Sequence, residues 1–316
     1  MPVWHSGRHF STFWTYKLVI GGATNPGTQQ SKRSSECVSF SVLSAYRIFI
    51  DLHLHIELKP LRPDQIGRSL EMMAGVASFS ISLSVLGWQA YVMDTLYRVD
   101  GHNLLNVFVQ ERILRMVAAG VWAIIHEGLV CTSWSRLANP PYRSIAEIDG
   151  LASLCKEKKE WVADQNKLHQ FSMQVLNVAK KTKVRICARE QKILASVENG
   201  DTTMVWSHPR TLQTCTVGES HDAGFFHRTA LCRWGTKWRK TTRIWATRHI
   251  PGIQLRCFCK KPHDEVIKGS VKVQLSSKRW KWISRSKISA AYPPRLCDAW
   301  AASIGTMFRQ LSDGSL

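Results

Sequence analysis

Acidic residues are scarce in this 316-residue chain: 23 Asp and Glu stand against 43 Lys and Arg, a formal charge of +20. A chain so short of carboxylates meets polyanions, either nucleic acid or an anionic membrane surface. The shortage is steepest from Phe225 to Cys297, where eighteen Lys and Arg face only Asp264 and Glu265. Long apolar runs are missing too. The nearest approach, Met72–Met93, has 22 uncharged residues but includes four serines, two glycines and a glutamine. That is weakly apolar for lipid, and a strand, a helix and a second strand account for it better than a membrane span. The opening MPVWHSGRHF lacks the apolar core of a secretory signal. Nine cysteines at irregular spacing give no framework of paired bridges, which predicts reduced thiols in an intracellular compartment.

What is present is alternation. Residues 1–65 read as an N-terminal extension whose composition leaves its order open: GGATNPGTQQSKRSSE has loop composition. Within it, DLHLHIEL alternates Asp51, His53, His55 and Glu57 with apolar residues, a strand with a solvated polar face rather than a metal site. From Ser69 the periods become regular. SLEMM predicts a strand, and Val76, Phe79, Leu83 and Leu86 recur at helical spacing until Gly87. WQAYVMD is a second strand and Leu105–Ala118 a helix stopped by Gly120. VWAIIHEGLVC, a helix through Leu168, Phe171, Val175 and Val178, and KILASVEN complete the series. Strands alternating with helices predict an α/β fold with a doubly wound, mostly parallel sheet and a basic C-terminal region. In such sheets ligands gather at the carboxyl ends of strands, where Gly75, Asp94, Cys131 and Glu198 fall.

Taken singly, each of these residues has a plain structural role as well. Gly75 with Asp94 suits a nucleotide-type cradle, but one glycine and a strand-end acid equally make a tight turn and a capped loop. Cys131 sits where a nucleophile would be held rigidly, and Arg136 is the nearest cation in sequence. By itself, an inert buried thiol explains it better. CFCKKPH presents Cys257, Cys259 and His263, with Cys232 as a possible fourth ligand, yet the spacing is shorter than in recognised fingers and predicts no metal.

The ordered set is more specific than its parts. LEMMAG, VMD, DGHNLL, VCTSWSRL, PPYRSIAEIDGL, VENGDTTMVWSHP, RWGTKWRKTTRIW and AAYPPRLCDAWA follow one another over residues 69–304. This order resembles the DNA (cytosine-5) methyltransferases, most closely the divergent methyltransferase-like domains of retroelement-type and dinoflagellate polyproteins. The resemblance implies a Rossmann-like methyltransferase domain over residues 66–304, with residues 305–316 as a tail. It implies that Glu71, Gly75 and Asp94 hold S-adenosyl-L-methionine. Cys131 would add to ring carbon six of cytosine, and Glu198 would hydrogen-bond the ring nitrogen beside the exocyclic amine. Arg239 and Arg243 would support the cysteine–base site and DNA phosphates. The target base would have to leave the stack.

Three positions depart from that pattern: Val130 and Gly200 stand where prolines are expected, and Ala77–Ser78 replaces the second glycine of the cofactor loop. Two functions therefore fit the sequence, a cysteine-dependent methyltransferase and a non-catalytic basic nucleic-acid-binding module of a mobile element. Both predict nucleic acid as partner, DNA before RNA, no membrane, and an intracellular, preferably nuclear, setting. Trp234, Trp238, Trp245, Trp280 and Trp282, interleaved with cations, would stack on bases, the alternative being a solvated charged face with the tryptophans buried on its other side.

Overall fold

The computed structural model describes residues 58–95, 102–186, 189–216, 223–260, 263, 270–276, 279–284 and 289–313. Most of the 1–65 extension, including His53 and His55, lies outside them.

Six strands form one sheet in the order β2-β1-β3-β6-β8-β7. They are β1 (Gly67–Met72), β2 (Trp88–Met93), β3 (Ile124–Gly128), β6 (Leu194–Gly200), β7 (Phe225–Ala230) and β8 (Thr241–Ala246). Five run in one direction and β8 alone runs against its neighbours. Two separate hairpins complete the strands, β4 (Lys183–Ile186) with β5 (Arg189–Lys192) and β9 (Ser270–Ser276) with β10 (Arg279–Ser284). The expected mostly parallel α/β sheet is thus present.

The helices are α1 (Ser78–Val85), α2 (Val107–Ala118), α3 (Lys156–Lys181), α4 (Pro209–Thr216) and α5 (Pro294–Asp313). They cover both faces, and the central strands are buried on both sides. On β3, His126 packs against Phe79 of α1 and Trp300 of α5, with ring centroids at 5.1 and 4.7 Å. Its neighbour Glu127 points to the opposite face, beside Ser172 of α3. The last turn of the long α3 carries Lys180 and Lys181, which suit its dipole, whereas in the first turn Glu157 is outnumbered by Lys156, Lys158 and Lys159. Asn106 caps α2 by accepting from Phe108 N at 2.9 Å. Gly120 ends it at φ +66, where a Cβ would meet Lys183 O at 2.5 Å.

One sequence expectation is met and one needs correcting. Met72–Met93 contains the end of β1, α1 and β2, and no helix among the described residues is long and apolar enough to cross a membrane. The tail expected from residue 305 begins inside α5, which continues to Asp313 and buries Met307 and Phe308. Those two apolar side chains extend the helix face that starts at Leu296, so the core layer continues past residue 305 to Phe308.

Candidate active site

Strand order fixes where a ligand can enter. The chain passes from β1 to β2 on one side, while β3 lies on β1's other side. The direction of winding reverses between β1 and β3, and the loops leaving their carboxyl ends diverge to open a crevice. Residues 73–77 leave β1 there, and Cys131 follows β3.

The loop after β1 is built from left-handed residues: Met73 at φ 54, Gly75 at φ 57 and Ala77 at φ 55. A Cβ at Gly75 would meet no atom within 4 Å, so its backbone faces open space. Gly75 N donates to Asp94 Oδ2 at 2.9 Å, which brings the two residues read as a cradle into one unit. Glu71 behaves differently. It is 1% exposed, and its Oε2 accepts from Ser80 N at 2.8 Å in the first turn of α1. Burial pushes its carboxyl up to about 7, against the opposing hydrogen bonds from Ser80. Glu71 therefore braces α1 from inside rather than facing the crevice, a correction to its expected contact with cofactor. Ala77 occupies the position where the second glycine was missed, and takes the left-handed conformation at a cost of about 1–2 kcal/mol.

The cysteine loop is tied down on several sides. Leu129 N donates to Glu198 O at 3.2 Å, and Asn199 Nδ2 donates to Leu129 O at 3.1 Å. Trp134 N closes a turn onto Cys131 O at 3.1 Å. Beneath the turn, Arg143 is 2% exposed, stacks 3.5 Å over the Trp134 ring and donates to Ser133 Oγ, Ile148 O and Asn166 Oδ1. A planar fork that stacks and donates in several directions is what a lysine could not supply. Burial raises the Cys131 thiol; Lys240 opposes that and Glu198 adds to it. The cation acting on the thiol is thus Lys240, not the exposed Arg136.

Glu198, near the carboxyl end of β6, is 6% exposed with both oxygens engaged: Oε1 accepts from Thr242 Oγ1 and Oε2 from Tyr292 OH, each at 3.0 Å. The Tyr292 hydroxyl also meets His126 Nε2 at 3.1 Å, and His126 Nδ1 meets Ser196 Oγ at 3.0 Å. The tyrosine has one proton and gives it to the carboxylate, so it accepts from His126 Nε2–H, and Nδ1 accepts from Ser196. Burial pushes His126 down to about 3, which keeps it neutral as this arrangement requires. Gly200 carries no slack: its N–H donates to Asn199 Oδ1, and its carbonyl accepts from Thr203 and from Trp206 Nε1. Those bonds fix the turn that a proline was expected to fix.

Arg239 and Arg243 lie elsewhere. On β8, Thr242 faces Glu198, so by alternation its neighbour Arg243 faces the other side, where it donates to Asp201 Oδ1 at 2.8 Å. There it joins Arg228, Arg239 and Arg256 around a cavity of about 810 Å³ that includes Phe226. The expected support of Cys131 by these arginines is replaced by a separate basic groove. Trp245 is fully buried and donates to Cys215 O and Ala223 O, so it cannot stack on a base. Trp234 is half-buried, its indole donating to Thr229 Oγ1, and Trp282 is 67% exposed.

Sequence reading missed Tyr292, Thr242, Lys240 and Arg143 as site residues. Each stood inside a quoted motif, but nothing in spacing marks a residue that reaches the site from a distant strand or loop. Neither a protein-family model nor a curated protein matches the chain.

Proposed function

We propose that the protein is an S-adenosyl-L-methionine-dependent methyltransferase of the DNA (cytosine-5) type. The observation that carries this reading is the convergence of Gly75, Asp94, Cys131 and Glu198 on neighbouring carboxyl ends of parallel strands around one switch point. The open backbone at Gly75 and its bond to Asp94 fit the nucleoside end of the cofactor, whereas the buried Glu71 supports the loop from behind. When bound, the cofactor would supply an electrophilic methyl group. Cys131 would add through its sulfur to ring carbon six of an extruded cytosine, which makes ring carbon five the nucleophile. Glu198, held by Thr242 and Tyr292, would offset charge at the adjacent ring nitrogen, and Lys240 would favour the thiolate.

A second reading keeps the fold without the chemistry: a basic nucleic-acid-binding module. It draws support from the raised Cys131 thiol and from the four arginines gathered on the far side of β8. Isothermal titration of S-adenosylmethionine into the full chain separates the two. Binding at micromolar levels is expected of the enzyme, and its absence from folded protein leaves only the binding module.

A further inference from the structure

Outside the crevice, the fold gathers four side chains of metal-ligating type. Cys232 lies in the 3-10 turn Leu231–Trp234 after β7, and Cys257, Cys259 and His263 follow β8. Their ligand atoms all lie within 4.8 Å of one another. Tetrahedral zinc with sulfur at about 2.3 Å and nitrogen at about 2.05 Å puts a thiolate and an imidazole nitrogen about 3.6 Å apart. Cys257 Sγ and His263 Nε2 stand at 3.5 Å.

Chemistry and setting agree with that distance. Three thiols cannot all be satisfied by disulfides, since one pair leaves an odd sulfur, and Cys232, Cys257 and Cys259 are all free. Soft sulfur with imidazole at tetrahedral spacing selects zinc over hard oxygen-seeking cations. The segment also needs a clamp. From Gly252 to Cys259 the backbone has no regular secondary structure, and Phe258 and Cys259 are exposed. Ala230 N pairs with Leu255 O at 2.8 Å, but beyond Leu255 no apolar side chain of the segment is buried. A short stretch with so little core is the usual place for a structural metal.

We propose that Cys232, Cys257, Cys259 and His263 form a Cys3His structural zinc site that fastens the 252–263 segment to the turn after β7. In the sequence, ligand spacing shorter than in recognised fingers spoke against a metal; the pairing of β7 with β8 returns Cys232, from upstream, to the other three. Arg256, beside Cys257, lines the arginine cavity together with Arg239, so the metal also sets one wall of that groove. The proposal is independent of methyl transfer.

The test is metal analysis of the full chain purified under reducing conditions. One zinc per chain is expected, and cobalt substitution should give thiolate-to-metal charge-transfer bands with the intense visible bands of a tetrahedral site. Cys232→Ser, Cys257→Ser, Cys259→Ser and His263→Ala should each lose the metal, while Cys155→Ser, at an exposed cysteine elsewhere, should keep it. Should those variants misfold, thiol titration of the unaltered protein decides: a chelator should unmask three additional reactive thiols, and added zinc should protect them again. Folded protein that takes up neither zinc nor cobalt, or whose metal survives all four substitutions, overturns the proposal.

Discussion

Removing one oxygen, in Tyr292→Phe, tests the polar chain behind the candidate site. The hydroxyl donates to Glu198 Oε2 at 3.0 Å and accepts from His126 Nε2 at 3.1 Å. Phenylalanine keeps the ring contacts with His126 and Trp300 and loses both bonds. A hydrogen bond to a carboxylate contributes about 1.5–3 kcal/mol, and a buried N–H left without an acceptor costs about 1–3 kcal/mol. His126 is fully buried, so bulk water does not replace the lost acceptor. The loss should therefore be about 2.5–6 kcal/mol, which at about 2–4 °C per kcal/mol is a fall in Tm of about 5–24 °C. Differential scanning calorimetry at pH 7 reads it directly. Thr242→Val, which removes only the bond to Oε1, should cost about half as much. A Tyr292→Phe protein that melts within about 2 °C of the parent would refute the network as drawn.

Three other substitutions probe separate parts. Burial pushes the Glu127 carboxyl up to about 8 from its ordinary 4.5, so the folded state holds a proton that the unfolded chain has released. This group makes stability fall between pH 4.5 and 8, by about 1.4 kcal/mol per pH unit. Glu127→Gln should flatten urea-denaturation stability across that window and be the more stable at pH 8; parallel curves would contradict the shift. Gly75→Ala sets a methyl group into open space at φ +57, costing about 1–2 kcal/mol of stability. The same change should weaken S-adenosylmethionine binding about tenfold or more in titration calorimetry. Arg143→Lys loses the fork and the stack on Trp134, and should lower stability by about 2–4 kcal/mol in denaturant melts.

Much of the fold was legible because it is periodic. Phe79 and Leu83 at helical spacing and the short run VWAIIHEG correspond to α1 and β3. The carboxyl-end positions of Gly75, Asp94 and Glu198 followed from the same periods. What sequence could not reveal depends on which strands become neighbours. Glu198 is completed by Thr242 and Tyr292, 44 and 94 positions away, and the four candidate zinc ligands meet only because β7 and β8 pair. Alternation on β8 also decides that Arg243 leaves the cysteine side, since Thr242 takes it. Glu71 and Trp245 were misjudged for one reason: polar and aromatic residues read as ligand-facing can turn inward, where Glu71 Oε2 meets Ser80 N and the Trp245 indole meets the Cys215 and Ala223 carbonyls.

Covalent trapping is the most direct test of the proposed chemistry. The full chain is incubated with S-adenosylmethionine and duplex DNA carrying a mechanism-based cytosine analogue, and adducts are resolved by denaturing electrophoresis and mass spectrometry. The account predicts a cofactor-dependent adduct on the peptide containing Cys131, absent from Cys131→Ser and sharply reduced in Glu198→Gln. No adduct from folded protein that binds both DNA and cofactor, or an adduct that persists in Cys131→Ser, would contradict it.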